Sequence, residues 1–149
     1  MATTLARAKA RPPVVLTETD AERLSVLALQ MEGRAPEVAG LLLAEVERAF
    51  VRPDLLVPDH VVRMGSVVAF VDEAPAHATS DGDAATRTVQ LVYPGEADIA
   101  AGRISVLTHV GAGLIGLAAG QAILWPDRDG RRRPLRVLHV RPAPFDELP

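Results

Sequence analysis

Two periodicities divide the chain, and the change from one to the other marks its plan. Leu24, Leu27, Ala28 and Met31 recur at i, i+3, i+4 and i+7, the spacing of one helical face. Ahead of them Thr17-Glu-Thr-Asp20 follows the capping-box pattern, in which a hydroxyl satisfies an orphan amide of the first turn; Thr19 with Glu22 offers a second register. Glu32-Gly33-Arg34-Ala35 breaks the pattern. Pro36 suits the first position of a second helix and Glu37 its positive N-terminus. Val38, Leu41, Leu42, Val46, Ala49 and Phe50 supply the second stripe, and Arg52-Pro53 is the expected stop. This predicts two helices of roughly 15 residues in an antiparallel hairpin about 22 Å long. Helices of that length are marginal alone. The stripes must therefore pack, either on each other as a projecting arm or in one core shared with the C-terminal part of the chain.

Beyond the proline-bounded linker Pro53–Pro58 the period becomes two. Ser66-Val-Val-Ala-Phe-Val71 has the branched content of a strand. Thr86 to Tyr93 alternates, with Val89, Leu91 and Tyr93 on one side and Thr88 and Gln90 on the other. Ile104–Leu107, Ile123–Trp125 and Leu135–Val140 add three apolar strands, while Pro94-Gly95 and Asp129-Gly130 are turn signals. Leu114–Ala119 is expected as a short buried helix closed by Gly120 as its C-cap. Pro12–Leu16 should be extended, and Asp72–Ala85 a long solvated hairpin loop whose acids and His77 match no calcium-loop spacing. A helical hairpin followed by about five strands and one short helix is an α+β order.

Composition narrows the function classes. The 149 residues suffice for one ordinary domain, and the absence of cysteine removes disulfides, thiolate metal sites and a thiol nucleophile. A net charge of -3 gives no bulk drive toward nucleic acid, so no direct sequence-specific nucleic-acid binding is expected. No apolar run reaches the length of about 18 residues that spans a bilayer, and Met1–Arg11 has no apolar signal region. The expectation is a cytoplasmic protein that does not act at a membrane.

Candidate chemistry is sparse. Gly111-Ala-Gly113-Leu-Ile-Gly116 matches the dinucleotide-binding glycine pattern, with Asp127 and Asp129 near the position of a ribose-binding acid. A crossover helix that returns to a parallel strand needs about a dozen residues, and Gly120 leaves too few. Close helix–sheet packing explains the glycines as well. Arg131, Arg132 and Arg133 could touch phosphate or simply be solvated. His60, His77, His109 and His139 share no ligand spacing, and no serine sits in a nucleophile elbow. No catalytic, cofactor-binding or metal-ligating residue is assigned, and no cofactor is expected.

Glu96-Ala-Asp98, Ile104-Ser105, Leu114-Ile-Gly116 and Gly120-Gln121 resemble the C-terminal domain of the bacterial Gre transcription factors. Leu91-Val-Tyr-Pro-Gly-Glu-Ala-Asp98 and Val110-Gly-Ala-Gly-Leu-Ile-Gly-Leu117 bring the chain closer to the Rnk subfamily, regulators of nucleoside diphosphate kinase; so do Leu16, Asp20, Arg23 and Leu24, with Pro58, Val61, Met64 and Ser66. The resemblance runs over about residues 14–142 in the same order. It implies a short hairpin, or coiled coil, over 14–53 and an FKBP-like antiparallel sheet domain with one short helix over 54–142. Tails at 1–13 and 143–149 complete the expected plan, with the first disordered. It implies a monomer that docks on RNA polymerase at the rim of the secondary channel. Docking contacts would come from Thr108 and His109, with Asp98, Glu96 and Ser105 less directly. Gre factors push a long coiled coil into the channel and hold a catalytic magnesium with an acidic pair at its tip. Here the tip offers Glu32, Arg34 and Glu37 without that pair, so a non-enzymatic competitor lacking transcript cleavage is implied. Thr108-His109 also stands where Gre factors typically carry Ser-Pro. An FKBP-like fold raises prolyl isomerase as the alternative, for which Phe50, Phe70, Phe145, Tyr93 and Trp125 are a thin aromatic supply.

Overall fold

The computed structural model describes residues 11–72, 86–127 and 129–143. The expected tail up to residue 10, nearly all of the Asp72–Ala85 loop and the segment from residue 144 lie outside the described residues.

Strand β1 (Val15–Thr17) runs directly into helix α1 (Glu18–Gln30), and helix α2 (Pro36–Arg48) returns antiparallel to it. The Thr17 hydroxyl caps α1 by accepting from the Asp20 amide at 2.9 Å, as the capping pattern required. Pro36 begins α2, as expected of its fixed φ and missing N–H. The hairpin closes sooner than its stripe suggested. Helix α2 stops at Arg48, and Phe50–Arg52 forms β2, a parallel partner of β1. Phe50 consequently leaves the helical face and is 62% exposed. Two branched or aromatic residues ahead of Pro53 gain more from pairing with β1 than from a last helical turn that proline would fray.

The main sheet contains β3 (Val67–Asp72), β4 (Thr86–Val92), β5 (Arg103–Ser105), β6 (Ala122–Pro126) and β7 (Arg132–Arg141), ordered β5-β4-β3-β7-β6. It is mixed, which corrects the antiparallel expectation: β5 runs parallel to β4, and the other pairs are antiparallel. The cause lies between Tyr93 and Gly102. Two 3₁₀ turns, an Asp98–Arg103 bridge and Gly102 at φ +79° fold that connection back on itself. The chain then re-enters the sheet in the direction in which it left.

Helix α3 (His109–Leu114) lies five residues earlier than the apolar run suggested. Thr108 caps it, accepting from the Gly111 amide at 3.0 Å, and Gly116 at φ +83° ends it, where Gly120 was the expected stop. A hydroxyl cap and a left-handed glycine fix the ends of so short a helix more firmly than its hydrophobicity does.

One core joins all of these parts. Leu24 and Ala28 of α1, Leu42 and Val46 of α2, Ala112 and Leu114 of α3, and Val68, Phe70, Leu91 and Val137 of the sheet belong to a single buried cluster. Of the two arrangements open to the hairpin, the structure adopts the shared core, and α1–α2 lies against the domain. No helix of the described residues is long and apolar enough to cross a membrane.

Candidate protein-docking site

The glycines around α3 set its position. A Cβ at Gly111 would lie 2.2 Å from the Ser105 carbonyl oxygen, and one at Gly113 would lie 2.9 Å from Leu135 Cδ1 and the Trp125 ring. At Gly116 it would meet Val14 Cβ at 2.8 Å. Close approach on three sides accounts for the whole Gly-x-Gly-x-x-Gly pattern, and a six-residue helix leaves no crossover of the dinucleotide-binding kind.

On this base the loop before α3 is braced internally. Ser105 is buried; its Oγ accepts from the Leu107 amide at 2.9 Å, and its carbonyl accepts from the Thr108 hydroxyl at 2.7 Å. Thr108 is exposed, although its hydroxyl is committed to the cap. The His109 side chain is only 16% exposed. Its backbone carbonyl accepts from Trp125 Nε1 at 2.6 Å, which ties the start of α3 to β6. Its Nε2 lies 3.6 Å from Glu37 Oε2, too long for a hydrogen bond and close enough for an ion pair when the imidazole is protonated. Two of the expected site residues, one from the docking loop and one from the hairpin, are thus brought together. Glu32 and Arg34 stay exposed on the turn between α1 and α2.

Glu96 and Asp98 occupy a different place. Both are exposed and line an open cleft of about 840 Å³ with Asp20, Arg23, Tyr93 and Arg103, apart from Ser105, Thr108 and His109. Asp98 is mainly a brace, since its carboxylate accepts from Ala101 N at 3.4 Å and its backbone exchanges two hydrogen bonds with Arg103.

Sequence patterns missed the charges that hold the hairpin to the domain. Asp20 is buried, and its Oδ2 accepts from the Met64 amide at 3.0 Å across 44 residues of chain. Burial pushes its carboxyl above the usual carboxylate range, partly opposed by that amide. Asp54, accepting from the Thr19 amide at 3.1 Å, is held below that range mainly by its bonds to Thr19. Tyr93, beside Asp20, is shifted up by burial and by that neighbouring charge. Glu45 is 1% exposed and is met by Arg48 at 2.8 Å and Arg11 at 3.3 Å. Its position seven residues after Val38 and three after Leu42, on the apolar stripe, was the signal that could have found it. Arg133, from the run considered for phosphate, is engaged by Asp72 at 3.1 Å and Asp127 at 3.3 Å. Among the described residues no group of three or more acidic or histidine side chains is arranged to hold a metal ion.

Comparison with known proteins decides the family. "Transcription elongation factor, GreA/GreB, C-term" matches residues 57–142, and "Rnk N-terminus" matches residues 12–51. The chain belongs to the GreA/GreB family, in its Rnk branch. It is 34% identical over 134 residues to the regulators of nucleoside diphosphate kinase of Escherichia coli (strain K12) and Shigella flexneri, covering 90% of this chain and 93% of theirs. A solved GreA/GreB elongation factor from Nitrosomonas europaea superposes with a TM-score of 0.63 at 33% identity, over 88% of this chain and 99% of that one. Kinship with Rnk regulators and Gre factors points to elongation-factor-like regulation and to a regulatory role over a classical enzyme.

Proposed function

We propose that this Rnk-type chain is a non-enzymatic regulator that binds RNA polymerase near the secondary channel as a monomer and competes there with Gre-type factors without cleaving transcripts. The carrying observation is the position of the hairpin. Its stripe is spent in the domain core and Glu37 faces His109, so neither reach nor a converging acidic pair remains for chemistry at a distant active centre. Holding a divalent ion takes several convergent oxygen ligands. Residues 54–142, read as an FKBP-like sheet wrapped on α3, serve as the docking unit and 14–53 as its brace. Its relatives are regulators of nucleoside diphosphate kinase, and the same regulatory link is taken for this chain.

The contact surface follows from what is free. Thr108 is exposed at the loop and Glu37 reaches the neighbouring His109 from the hairpin; Ser105 and the His109 ring act as supports. The test titrates the protein into a backtracked elongation complex whose cleavage is stimulated by a Gre factor. Cleavage should fall with added protein, while the protein alone produces no shortened transcript above the polymerase's own rate. Thr108→Asp keeps a capping oxygen but loses the hydroxyl that donates to the Ser105 carbonyl, so inhibition should weaken at temperatures where its melting curve shows the variant still folded, while Thr108→Ser, which keeps both bonds, should leave inhibition unchanged. Cleavage that persists at saturating protein, or simultaneous binding of both factors, overturns the reading.

A further inference from the structure

The sheet has a second face that the hairpin and α3 do not use. The inner face carries Val68, Phe70, Val89, Leu91 and Val137 into the core. By alternation the outer face receives Val67 and Ala69 of β3, Thr88 of β4, and His139 and Arg141 of β7. Ala69 pairs with His139 on one side and Thr88 on the other, so these three form a row across neighbouring strands about 10 Å wide. Val67 pairs with Arg141 one row along. The Ala119 amide donates to the His60 carbonyl at 2.9 Å and brings His60 to the border of the same surface. Together these residues line an open groove of about 520 Å³.

We propose that this groove docks an extended, acidic and partly apolar peptide segment of a partner protein. Small floor residues, Ala69 and Ala119, leave room for a peptide to lie close to the sheet. Among the described residues, every ionisable group lining the groove is basic: His60, His139 and Arg141. None of the three side chains has a hydrogen bond or ion pair within the described residues, and all three are exposed. On a chain whose net charge of -3 counts histidine as neutral, the groove carries the positive charge of Arg141 and, among the described residues, no negative one, a local inversion of sign. The bases border an apolar floor and are not gathered around one point, which suits carboxylates spaced along an alternating acidic–apolar segment. A lone small anion would need donors converging on it. Nucleic acid would need a longer run of Lys and Arg than one arginine and two histidines supply. This site is separate from the proposed polymerase-docking loop, so either reading can fail without the other.

The experiment follows backbone amide signals of the full chain by NMR during titration with an alternating glutamate–leucine pentapeptide, its lysine–leucine counterpart, and inorganic phosphate. The acidic peptide should shift the Ala69, Thr88 and His139 signals saturably and lose affinity as salt is raised; the basic peptide should not bind. His139→Glu with Arg141→Glu should weaken binding about tenfold or more, as expected when attraction becomes like-charge repulsion. His60→Gln, away from the strands, should weaken it less and guards against a misfolded double variant. Equal shifts with both peptides, shifts confined to other surfaces, or unchanged affinity in both variants overturns the proposal. Phosphate binding as tight as the acidic peptide does so as well.

Discussion

The loop and helix around α3 and the turn between α1 and α2 sit within reach of each other, yet they are built by opposite rules. Around α3 almost every atom is committed. Thr108 caps, Ser105 braces, and Gly111, Gly113 and Gly116 have no room for a methyl group. On the hairpin, a methyl group added at Gly33 or Gly40 would have nothing within 4 Å, and Ala35 at the start of α2 provides no side-chain cap. One region holds a geometry, while the other is free to vary in length and charge. In a chain that shares its C-terminal domain with the GreA/GreB family, that difference lets the hairpin change while the loop before α3 stays as it is.

The sharpest break in this contrast is Gly116→Val. A branched residue would have to adopt φ +83° and push against Val14, which is 1% exposed. Left-handed strain and overpacking together should cost roughly 2–5 kcal/mol. Urea unfolding checks this, and the same melts with added nucleotide should show no protection. A loss below about 1 kcal/mol would mean that β1 can move away from the α3 terminus at little cost.

Next in size is Glu45, the charge that fastens α2. Glu45→Ala strips Arg48 and Arg11 of their shared partner and leaves a hole beside the core, for an expected loss of about 1–3 kcal/mol. Glu45→Met should cost less, because an apolar side chain of similar volume removes the desolvation penalty along with the pair. Equal losses in the two variants would assign the whole effect to the ion pair.

How much of this was legible follows the same divide. Capping of α1 by Thr17, the start of α2 at Pro36, the strand alternation at Val89 and Leu91 and the turn at Asp129-Gly130 were local, and local signals found them. The glycine pattern at 111–116 was rightly read as packing, but the helix was displaced by five residues because its limits depend on Thr108 and on the φ of Gly116. Parallel pairing of β1 with β2 and of β4 with β5 depends on how the chain returns, which no window of residues contains. Of the expected docking residues, Thr108 is exposed as a contact needs, whereas Ser105 is turned inward onto its neighbours Leu107 and Thr108, and His109 is drawn in by Trp125 and Glu37, distant in sequence.

A pH series sharpens the comparison at the root of the hairpin. Asp20 has a folded-state carboxyl raised above 3.8, so the folded protein binds more protons than the unfolded chain between 3.8 and that raised value. Its contribution is therefore fullest below 3.8 and is lost as pH rises through the folded value. Asp54 has the opposite sign: its folded value lies below 3.8, and its contribution appears as pH rises toward 3.8 and disappears in stronger acid. In unfolding measurements across this range, Asp20→Asn should flatten the decline above 3.8 and leave the acid limb, and Asp54→Asn should do the reverse. Identical profiles for both variants would show that neither carboxyl carries the linkage.

The smallest expected effect lies at the open end of the comparison. Gly33 has no neighbour within 4 Å of an added Cβ, and its φ is not positive. Gly33→Ala therefore restricts the unfolded chain without straining the folded one, and should stabilise by about 0.4–1 kcal/mol. The sign matters more than the size, because the same kind of change at Gly111 would drive a methyl group to 2.2 Å from a carbonyl oxygen and must destabilise. Paired thermal melts of Gly33→Ala and Gly111→Ala should move in opposite directions. If Gly33→Ala also lowers the melting temperature, the turn is under a constraint that its open surroundings do not reveal, and the hairpin tip belongs with α3 among the regions that hold a geometry.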